Sequence, residues 1–111
     1  MPKTPATPQM GELLLYQTED GNARIEVRLD EETVWLSQAQ MAELFQRERS
    51  VITKHIRNAF TEGEVDEKSN VHFLHIAGSD KPVSVYSLDV IISVGYRVKS
   101  LRGTQFRRWA L

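Results

Sequence analysis

The stretch from Ser37 to Phe60 constrains the fold most, because its apolar residues follow helical spacing with one interruption. Both apolar sets recur at the three- and four-residue intervals of an amphipathic helix. They are Met41, Ala42, Leu44 and Phe45, then Ile52, Ile56, Ala59 and Phe60. Between the two sets, Gln46–Arg49 is entirely polar. The stretch therefore predicts two short helices joined by a tight turn, with Ser37 and Gln40 as a capping box and Ser50 as the second N-cap.

Strands are predicted on both sides of this helical pair. The alternation of apolar and polar residues in Ala23–Leu29 is typical of a half-buried strand, and Asp20-Gly21 before it is a hairpin signal. After the second helix, which we expect Gly63 to end, an acidic loop precedes a second hairpin with a loop over 77–82. The predicted strands are Leu13–Gln17, Ala23–Leu29, Thr33–Leu36, Val71–Ile76 and Val83–Tyr86, and the acidic loop is Glu64–Asn70.

Two further helices are predicted in the last quarter of the chain. Ser87 is the N-cap candidate of a helix from about Leu88 to Arg97, Lys99–Gly103 is a loop, and Thr104–Leu111 begins another helix. Residues 1–10 hold three prolines and no apolar period, which predicts a disordered lead. We expect residues 11–111 to form one domain, and the uncapped helix at the end leads us to expect the front part of a longer protein.

The order of these elements is that of a winged helix-turn-helix: a short helix, a tight turn, a second helix and a β-hairpin. We therefore predict an α+β fold, in the form of a winged helix-turn-helix-like domain with an N-terminal β-hairpin and additional C-terminal helices. Ala42 supplies the small residue that the first helix needs where it crosses the second, and Ile52 is the apolar anchor ten residues later.

The outward face of the predicted second helix has the composition of a DNA-reading surface. It has two cations, several hydrogen-bonding side chains and no acid: Ser50, Thr53, Lys54, Arg57, Asn58 and Thr61. Cations suit phosphates or guanine and amides suit adenine, so we expect this face, without Thr61, to enter the major groove. Arg47 and Arg49 flank its N-terminus, where we expect them to hold phosphates. The alternative is a helical hairpin with a solvated polar face.

A second group of cations lies near the C-terminus. No acid follows Asp89, while five basic residues do: Arg97, Lys99, Arg102, Arg107 and Arg108. Of these, Arg102, Arg107 and Arg108 are the predicted phosphate contacts. Lys81, in the loop of the second hairpin, is a further candidate for a phosphate or the minor groove. The alternative for the C-terminal group is a solvated helix face that balances the acidic N-terminal part.

The net charge of −1 does not exclude nucleic acid as a partner, because it results from cancellation between segments. Residues 11–36 contain seven acids and two bases, whereas residues 37–61 contain four bases and two acids. Residues 90–111 contain five bases and no acid. The sequence therefore predicts a bipolar molecule whose basic side is built from the helical pair and the C-terminal segment.

Other kinds of chemistry find no support in the sequence. With no cysteine, the chain has neither disulfides nor thiolate ligands for zinc, and His72 and His75 point to opposite faces of a strand. Phosphate-binding loops, nucleotide fingerprints and nucleophile elbows are absent. We therefore expect no enzymatic activity, no cofactor and no metal. No apolar run approaches the length of a membrane span, and we expect a cytoplasmic protein.

Three blocks of the sequence resemble the N-terminal region of the bacterial RhuM family, which is named for a virulence-island member. They are LLYQTEDGNARIEVRLDEETVWLSQAQMAELF, HIRNAFTEGEVDE and YSLDVIISVGYRVKSLRGTQFRRWA, so the resemblance covers about residues 12–110. The chain is more loosely similar to BRO-N-like phage antirepressor domains, a resemblance that implies DNA binding. Some RhuM relatives are associated with Fic/DOC-type proteins, but the Fic signature H-P-F-x-x-G-N-G-R does not occur in this chain.

We expect the chain to be a non-enzymatic, sequence-specific binding domain for double-stranded DNA, in a transcriptional regulator that can form a homodimer on paired half-sites. The alternative is a protein-interaction module that positions a C-terminal effector or toxin domain of Fic/DOC type. A third alternative is an accessory domain of an enzyme.

Overall fold

The structure is a computed structural model that describes residues 12–31, 33–75, 78 and 80–111. The strands are β1 (Glu12–Gln17), β2 (Arg24–Asp30), β3 (Thr33–Ser37), β4 (Val71–Leu74) and β5 (Val83–Ser87). The helices are α1 (Gln38–Phe45), α2 (Arg49–Thr61), α3 (Glu67–Asn70), α4 (Leu88–Val98) and α5 (Leu101–Ala110). The fold is α+β, as predicted, and the predicted lead over residues 1–10 lies outside the described residues.

The five strands form one antiparallel sheet in the order β1-β2-β3-β5-β4. Both predicted hairpins, β1–β2 and β4–β5, are confirmed. The pairing of β3 with β5, which aligns Leu36 with Tyr86, joins the two hairpins into a single sheet. The sequence pattern did not indicate this pairing, because it links segments about fifty residues apart and no local signal specifies a partner at that separation.

The predicted capping box of α1 is confirmed. The Ser37 hydroxyl accepts from the Gln40 backbone N–H at 3.2 Å, and the Gln40 side chain accepts from the Ser37 N–H at 2.7 Å. The helix ends at Gln46, whose φ of 56° and ψ of 50° are left-handed. The chain then needs only Arg47 and Glu48 before α2 begins. Glu48 therefore takes the N-cap position, and the prediction that Ser50 caps this helix is wrong.

Two predicted loops are partly helical. Within the expected acidic loop, Asp66 accepts from the Ser69 N–H at 3.2 Å and starts the single-turn helix α3. Farther on, the last three residues of the expected loop Lys99–Gly103 belong to helix α5. Lys99, with φ 55°, reverses the chain alone, and α5 begins two residues later. Gly103 thus lies inside α5, where its missing side chain makes room for the ring of Phe45.

The core lies between one face of the sheet and helices α1, α2, α4 and α5. Full burial of an apolar side chain stabilises a fold by about 1.5–3 kcal/mol, so this layer dominates the stability. Its members include Ile25, Val27, Val34 and Leu36 from the strands, and Met41, Leu44, Phe45, Ile52, Ile91, Val94 and Phe106 from the helices. The opposite face carries the smaller buried cluster Trp35, Leu74 and Val85. Among the described helices, none is long and apolar enough to cross a bilayer.

Candidate nucleic-acid interface

Helix α2 separates its apolar and polar residues as the sequence predicted. Ile52, Ile56 and Ala59 are buried against the core. The predicted contact residues lie on the other side: Arg49, Ser50, Lys54 and Arg57 are exposed, and Thr53 and Asn58 are half-buried. We call these six residues the α2 face. It presents three cations, and the nearest acids in sequence, Glu48 and Glu62, lie just beyond the two ends of the helix.

Arg47 is an exposed residue whose guanidinium bonds to the ends of two helices. Its guanidinium donates to the carbonyl oxygens of Phe45 at 3.1 Å and Gln46 at 3.2 Å, at the end of α1. It also donates to the carbonyl oxygen of Val98, at the end of α4, at 3.0 Å. A cation is favourable at these positions, because the carbonyl ends of two helices carry partial negative charge. The predicted phosphate contact thus also bonds to the carbonyl ends of α1 and α4.

A chain of polar contacts fastens α2 to the sheet. The Thr53 hydroxyl lies 2.8 Å from Gln38 Oε1 and 2.9 Å from the Arg49 carbonyl oxygen, both acceptors for its single proton. Gln38 in turn donates from Nε2 to the Tyr86 hydroxyl at 3.1 Å. Tyr86 belongs to β5, so this chain connects the α2 face to the second hairpin. Gln38 was not among the residues that the sequence pattern singled out, because its partner Tyr86 is 48 residues away in the chain.

A groove runs between the start of α1, the start of α2 and the beginning of β5. Its lining is mostly polar or small: Ser37, Gln38, Ala39, Arg49, Pro82, Val83 and Ser84. Lys81 is exposed in the loop that precedes β5, next to the groove residue Pro82. Gly78 and residues 80–82 of that loop are among those the structure describes. The groove brings Arg49 of the α2 face together with the second hairpin.

The arginines of α5 lie elsewhere. Helix α5 packs over β1 through the ring of Tyr16, whose centroid is 5.1 Å from that of Phe106 and 4.8 Å from that of Trp109. In contrast, α2 lies towards β5, where Phe60 and Tyr86 have centroids 6.4 Å apart. Because β1 and β5 are separated by β2 and β3 in the sheet, the structure does not bring the predicted cations of α5 and the α2 face together.

The predicted cations of α5 also differ from one another. Arg102 is 8% exposed and donates to Asp20 Oδ2 and to the Glu43 carbonyl oxygen, so it is an interior residue. Arg107 is half-buried, with its guanidinium 5.2 Å from the centroid of the Tyr96 ring and a hydrogen bond to the Tyr96 hydroxyl. Arg108 is exposed beside Trp109 in a shallow groove next to β1.

Two titratable groups in and after α2, His55 and Glu64, have lowered pKa values. Arg97 of α4 donates to Glu62 and Glu64, each at 2.7 Å, and this ion pairing together with the Ser93 hydroxyl lowers the pKa of Glu64. His55 is half-buried beneath the same region. Burial lowers its pKa, and the charges of Arg97, Lys54 and Arg47 lower it further. His55 therefore favours its neutral form.

Within the described part of the chain, no group of three or more His, Asp and Glu side chains is arranged to hold a metal ion. His72 instead packs on Trp35, with ring centroids 4.2 Å apart, and lies 3.3 Å from Glu31. His75 is exposed at the end of the same strand. His72 is thus packed on Trp35 in the sheet, and His75 follows the end of β4.

Comparison with known proteins gives one match. Neither the curated proteins nor the solved structures include a significant match to the chain. The resemblance to the RhuM family, inferred above from the sequence, is confirmed for the segment that runs from the acidic loop through α5. Residues 65–111 match the family model described as Virulence protein RhuM family.

Proposed function

We propose that the chain is a sequence-specific DNA-binding domain of winged helix-turn-helix character, with α2 as the helix that enters the major groove. The observation that carries the proposal is the α2 face. It places Arg49, Lys54 and Arg57 on the exposed side of a helix whose opposite side is anchored by Ile52 and Ile56. A rigid helix with cations and amides on its free side can contact phosphates and base edges together.

The arrangement of the surrounding elements supports the same proposal. The segment β3-α1-α2-α3-β4-β5, with its strands in the order β3-β5-β4, combines a tight helical pair with a following hairpin. In this proposal the loop of that hairpin, which contains Lys81, is the wing. The polar groove between Arg49 and Pro82 lies where a phosphate backbone would pass between helix and wing.

The proposed surface is smaller than the sequence suggested. It comprises the α2 face and Lys81. Arg102 is an interior residue, the guanidinium of Arg47 is bonded to the ends of α1 and α4, and Arg107 and Arg108 lie with α5 at the other end of the sheet. Thr53 contributes by holding α2 on Gln38, so we assign direct base contacts to Ser50, Arg57 and Asn58.

The proposal is tested by the salt dependence of binding. Fluorescence anisotropy with a labelled random-sequence duplex should give an affinity that falls steeply with salt, because each phosphate contact adds about 0.9 to the slope of log K against log salt. The double variant Lys54→Ala/Arg57→Ala should bind at least about tenfold more weakly at low salt and lower the slope by up to about 2. The matched control is Arg24→Ala/Arg28→Ala, which removes the same charge from β2.

The control variant should bind like the unaltered chain. Unchanged binding by Lys54→Ala/Arg57→Ala, or an equal loss in the control, would show that α2 is not the contact surface. Sequence preference is tested separately, by selecting binding sites from a random duplex pool. Asn58→Ala should then relax the preference at one adenine position, at a cost of about 1–3 kcal/mol for the preferred site.

A further inference from the structure

Strand β1 is an edge of the sheet with an unusual composition. Among the described residues, only β2 pairs with it. Its side chains Leu13 and Leu15 are 53% and 58% exposed, and the strand carries one charge, at Glu12. Edge strands are normally protected by charges, prolines or bulges, because their free backbone groups can pair with another strand. A long apolar edge without that protection is suited to pairing.

The register of β1 with β2 identifies which backbone groups are free. Thr18 donates from its backbone N–H to the carbonyl oxygen of Ala23 at 3.0 Å, in continuation of the ladder that aligns Tyr16 with Ile25. Hydrogen-bonded and non-hydrogen-bonded pairs alternate along an antiparallel ladder. The backbone groups of Tyr16 and Leu14 therefore point to β2, and those of Leu13 and Leu15 point away from the sheet.

We propose that β1 pairs antiparallel with β1 of a second copy of this chain, about a two-fold axis at Leu14, to give a continuous ten-stranded sheet. In this register Leu13 of one copy lies opposite Leu15 of the other, and their outward N–H and C=O groups form the new ladder. The arrangement is self-complementary, as a two-fold interface must be. The four exposed leucines of the pair then cover one another on the face away from the helices.

Charge complementarity favours this register. With Leu14 on the axis, Glu12 of each copy lies opposite Tyr16 of the other, on the side of the sheet that carries the helices. Tyr16 lines a groove with Arg108 and Trp109 of α5. Glu12 of one copy can therefore reach Arg108 of the other, twice in the dimer. Glu19 of the same chain as Arg108 also lines this groove, but it lies beyond Tyr16, towards the turn between β1 and β2.

The first test measures association by sedimentation equilibrium of the 111-residue chain over about 1–300 µM, where dimerisation makes the average mass depend on concentration. We expect the mass to approach twice the 12.7 kDa of one chain. Glu12→Arg and Arg108→Glu should each weaken the dimer about tenfold, because each places like charges together. The double variant Glu12→Arg/Arg108→Glu should recover the affinity to within about threefold, because the pair is restored with reversed signs.

The second test determines the register in a chain that has no native cysteine. In a non-hydrogen-bonded pair the two Cα atoms are about 4.5 Å apart, within the range of a disulfide. Leu14→Cys should therefore give a disulfide-linked dimer under mild oxidation. The matched control Leu13→Cys should not, because the two copies of residue 13 would be about 8–9 Å apart.

A chain that remains monomeric throughout the concentration range overturns the proposal. A dimer that is insensitive to both charge reversals also overturns it. Cross-linking through Leu15→Cys but not through Leu14→Cys contradicts the register. None of these measurements uses DNA, so their outcome is independent of the proposed function.

Discussion

Arg102 of α5 donates from Nε and Nη2 to Oδ2 of Asp20, at 3.2 and 2.9 Å, and thereby ties the last helix to the turn between β1 and β2. The guanidinium is buried and the carboxylate is partly exposed. Thr18 and the backbone N–H of Asn22 also donate to Asp20 Oδ1, at 2.6 and 2.9 Å. The turn that carries the hairpin signal Asp-Gly is thus also the docking point of α5.

These contacts predict a loss of stability in acid. The hydrogen bonds from Thr18 and Asn22, and then the pairing with Arg102, lower the pKa of Asp20 to about 2. The carboxyl of the unfolded chain titrates near 3.8, so the unfolded state takes up a proton first as the pH falls. The stabilisation by Asp20 is therefore complete above pH 4 and is lost between about pH 4 and pH 2.

The measurement is urea denaturation at a series of pH values. Asp20→Asn should be less stable than the unaltered chain at pH 7, and the difference should shrink between pH 4 and pH 2. Glu43→Gln removes an exposed carboxylate from α1 and serves as the control, for which we expect no such convergence. A constant difference for Asp20→Asn across this range would contradict the assignment.

Substitution by alanine should change the stability of the fold in opposite directions at two glycines, Gly103 and Gly95. A Cβ atom at Gly103 would lie 2.8 Å from Cε1 of Phe45, whose ring is buried and cannot move aside. Gly103→Ala should therefore destabilise the fold by about 1–3 kcal/mol despite its better helix propensity. At Gly95 the nearest atoms of the same ring would be 3.5 Å away, an ordinary contact.

Gly95→Ala is thus the matched control for Gly103→Ala. It should be neutral or stabilising by up to about 1 kcal/mol, because alanine is the better helix former. Thermal and urea denaturation of both variants measure the difference. Equal destabilisation by the two substitutions would show that crowding by Phe45 is not the cause.

We expect Arg47 to stabilise the fold in a way that lysine at this position cannot reproduce. Its guanidinium donates hydrogen bonds to three carbonyl oxygens at the ends of two helices. The ammonium group of lysine lacks the planar set of donors that this arrangement requires. Both Arg47→Ala and Arg47→Lys should lose about 1–2 kcal/mol of the free energy of unfolding. The control is Arg49→Lys, at an exposed residue of the next turn, which should be within about 0.5 kcal/mol of the unaltered chain. Full stability of Arg47→Lys would indicate that charge alone matters at this position.

The contact between Gln38 and Tyr86 is suited to a double-mutant cycle. Tyr86 is 7% exposed, and its hydroxyl accepts from Gln38 Nε2. Tyr86→Phe should cost about 0.5–1.5 kcal/mol, the range for one hydrogen bond. Because the same bond is lost from either side, Gln38→Ala/Tyr86→Phe should cost less than the sum of the two single substitutions. Strict additivity in urea denaturation would show that the two side chains act independently.

Much of the fold could be predicted where the signals are local. The capping box at Ser37, the Asp20-Gly21 turn and the apolar spacing of α2 each depend on residues within one or two turns of chain. The errors at Ser50 and Lys99 share one cause. A single non-glycine residue in the left-handed conformation, Gln46 or Lys99, shortens a connection that the polar sequence made look longer.

The candidate site likewise has a part that could be predicted from the sequence and a part that could not. The polar face of α2 was predictable, because burial of Ile52 and Ile56 determines which side chains remain outside. The partners of the other arginines were not predictable, because composition does not distinguish an arginine that is free in solvent from one whose guanidinium is bonded within the protein. Arg102 and Arg47 found partners 82 and 51 residues away in the chain, Asp20 and Val98.

The sequence by itself therefore determined the described elements except α3, their order and the amphipathic face of α2, since periodicity and capping act over short distances. The tertiary structure alone decided that β3 joins β5, that α5 packs over β1, and that the arginines of α5 lie away from the α2 face. Those outcomes depend on packing between distant segments. For α5, the Tyr16, Phe106 and Trp109 rings and the Arg102–Asp20 pair act together.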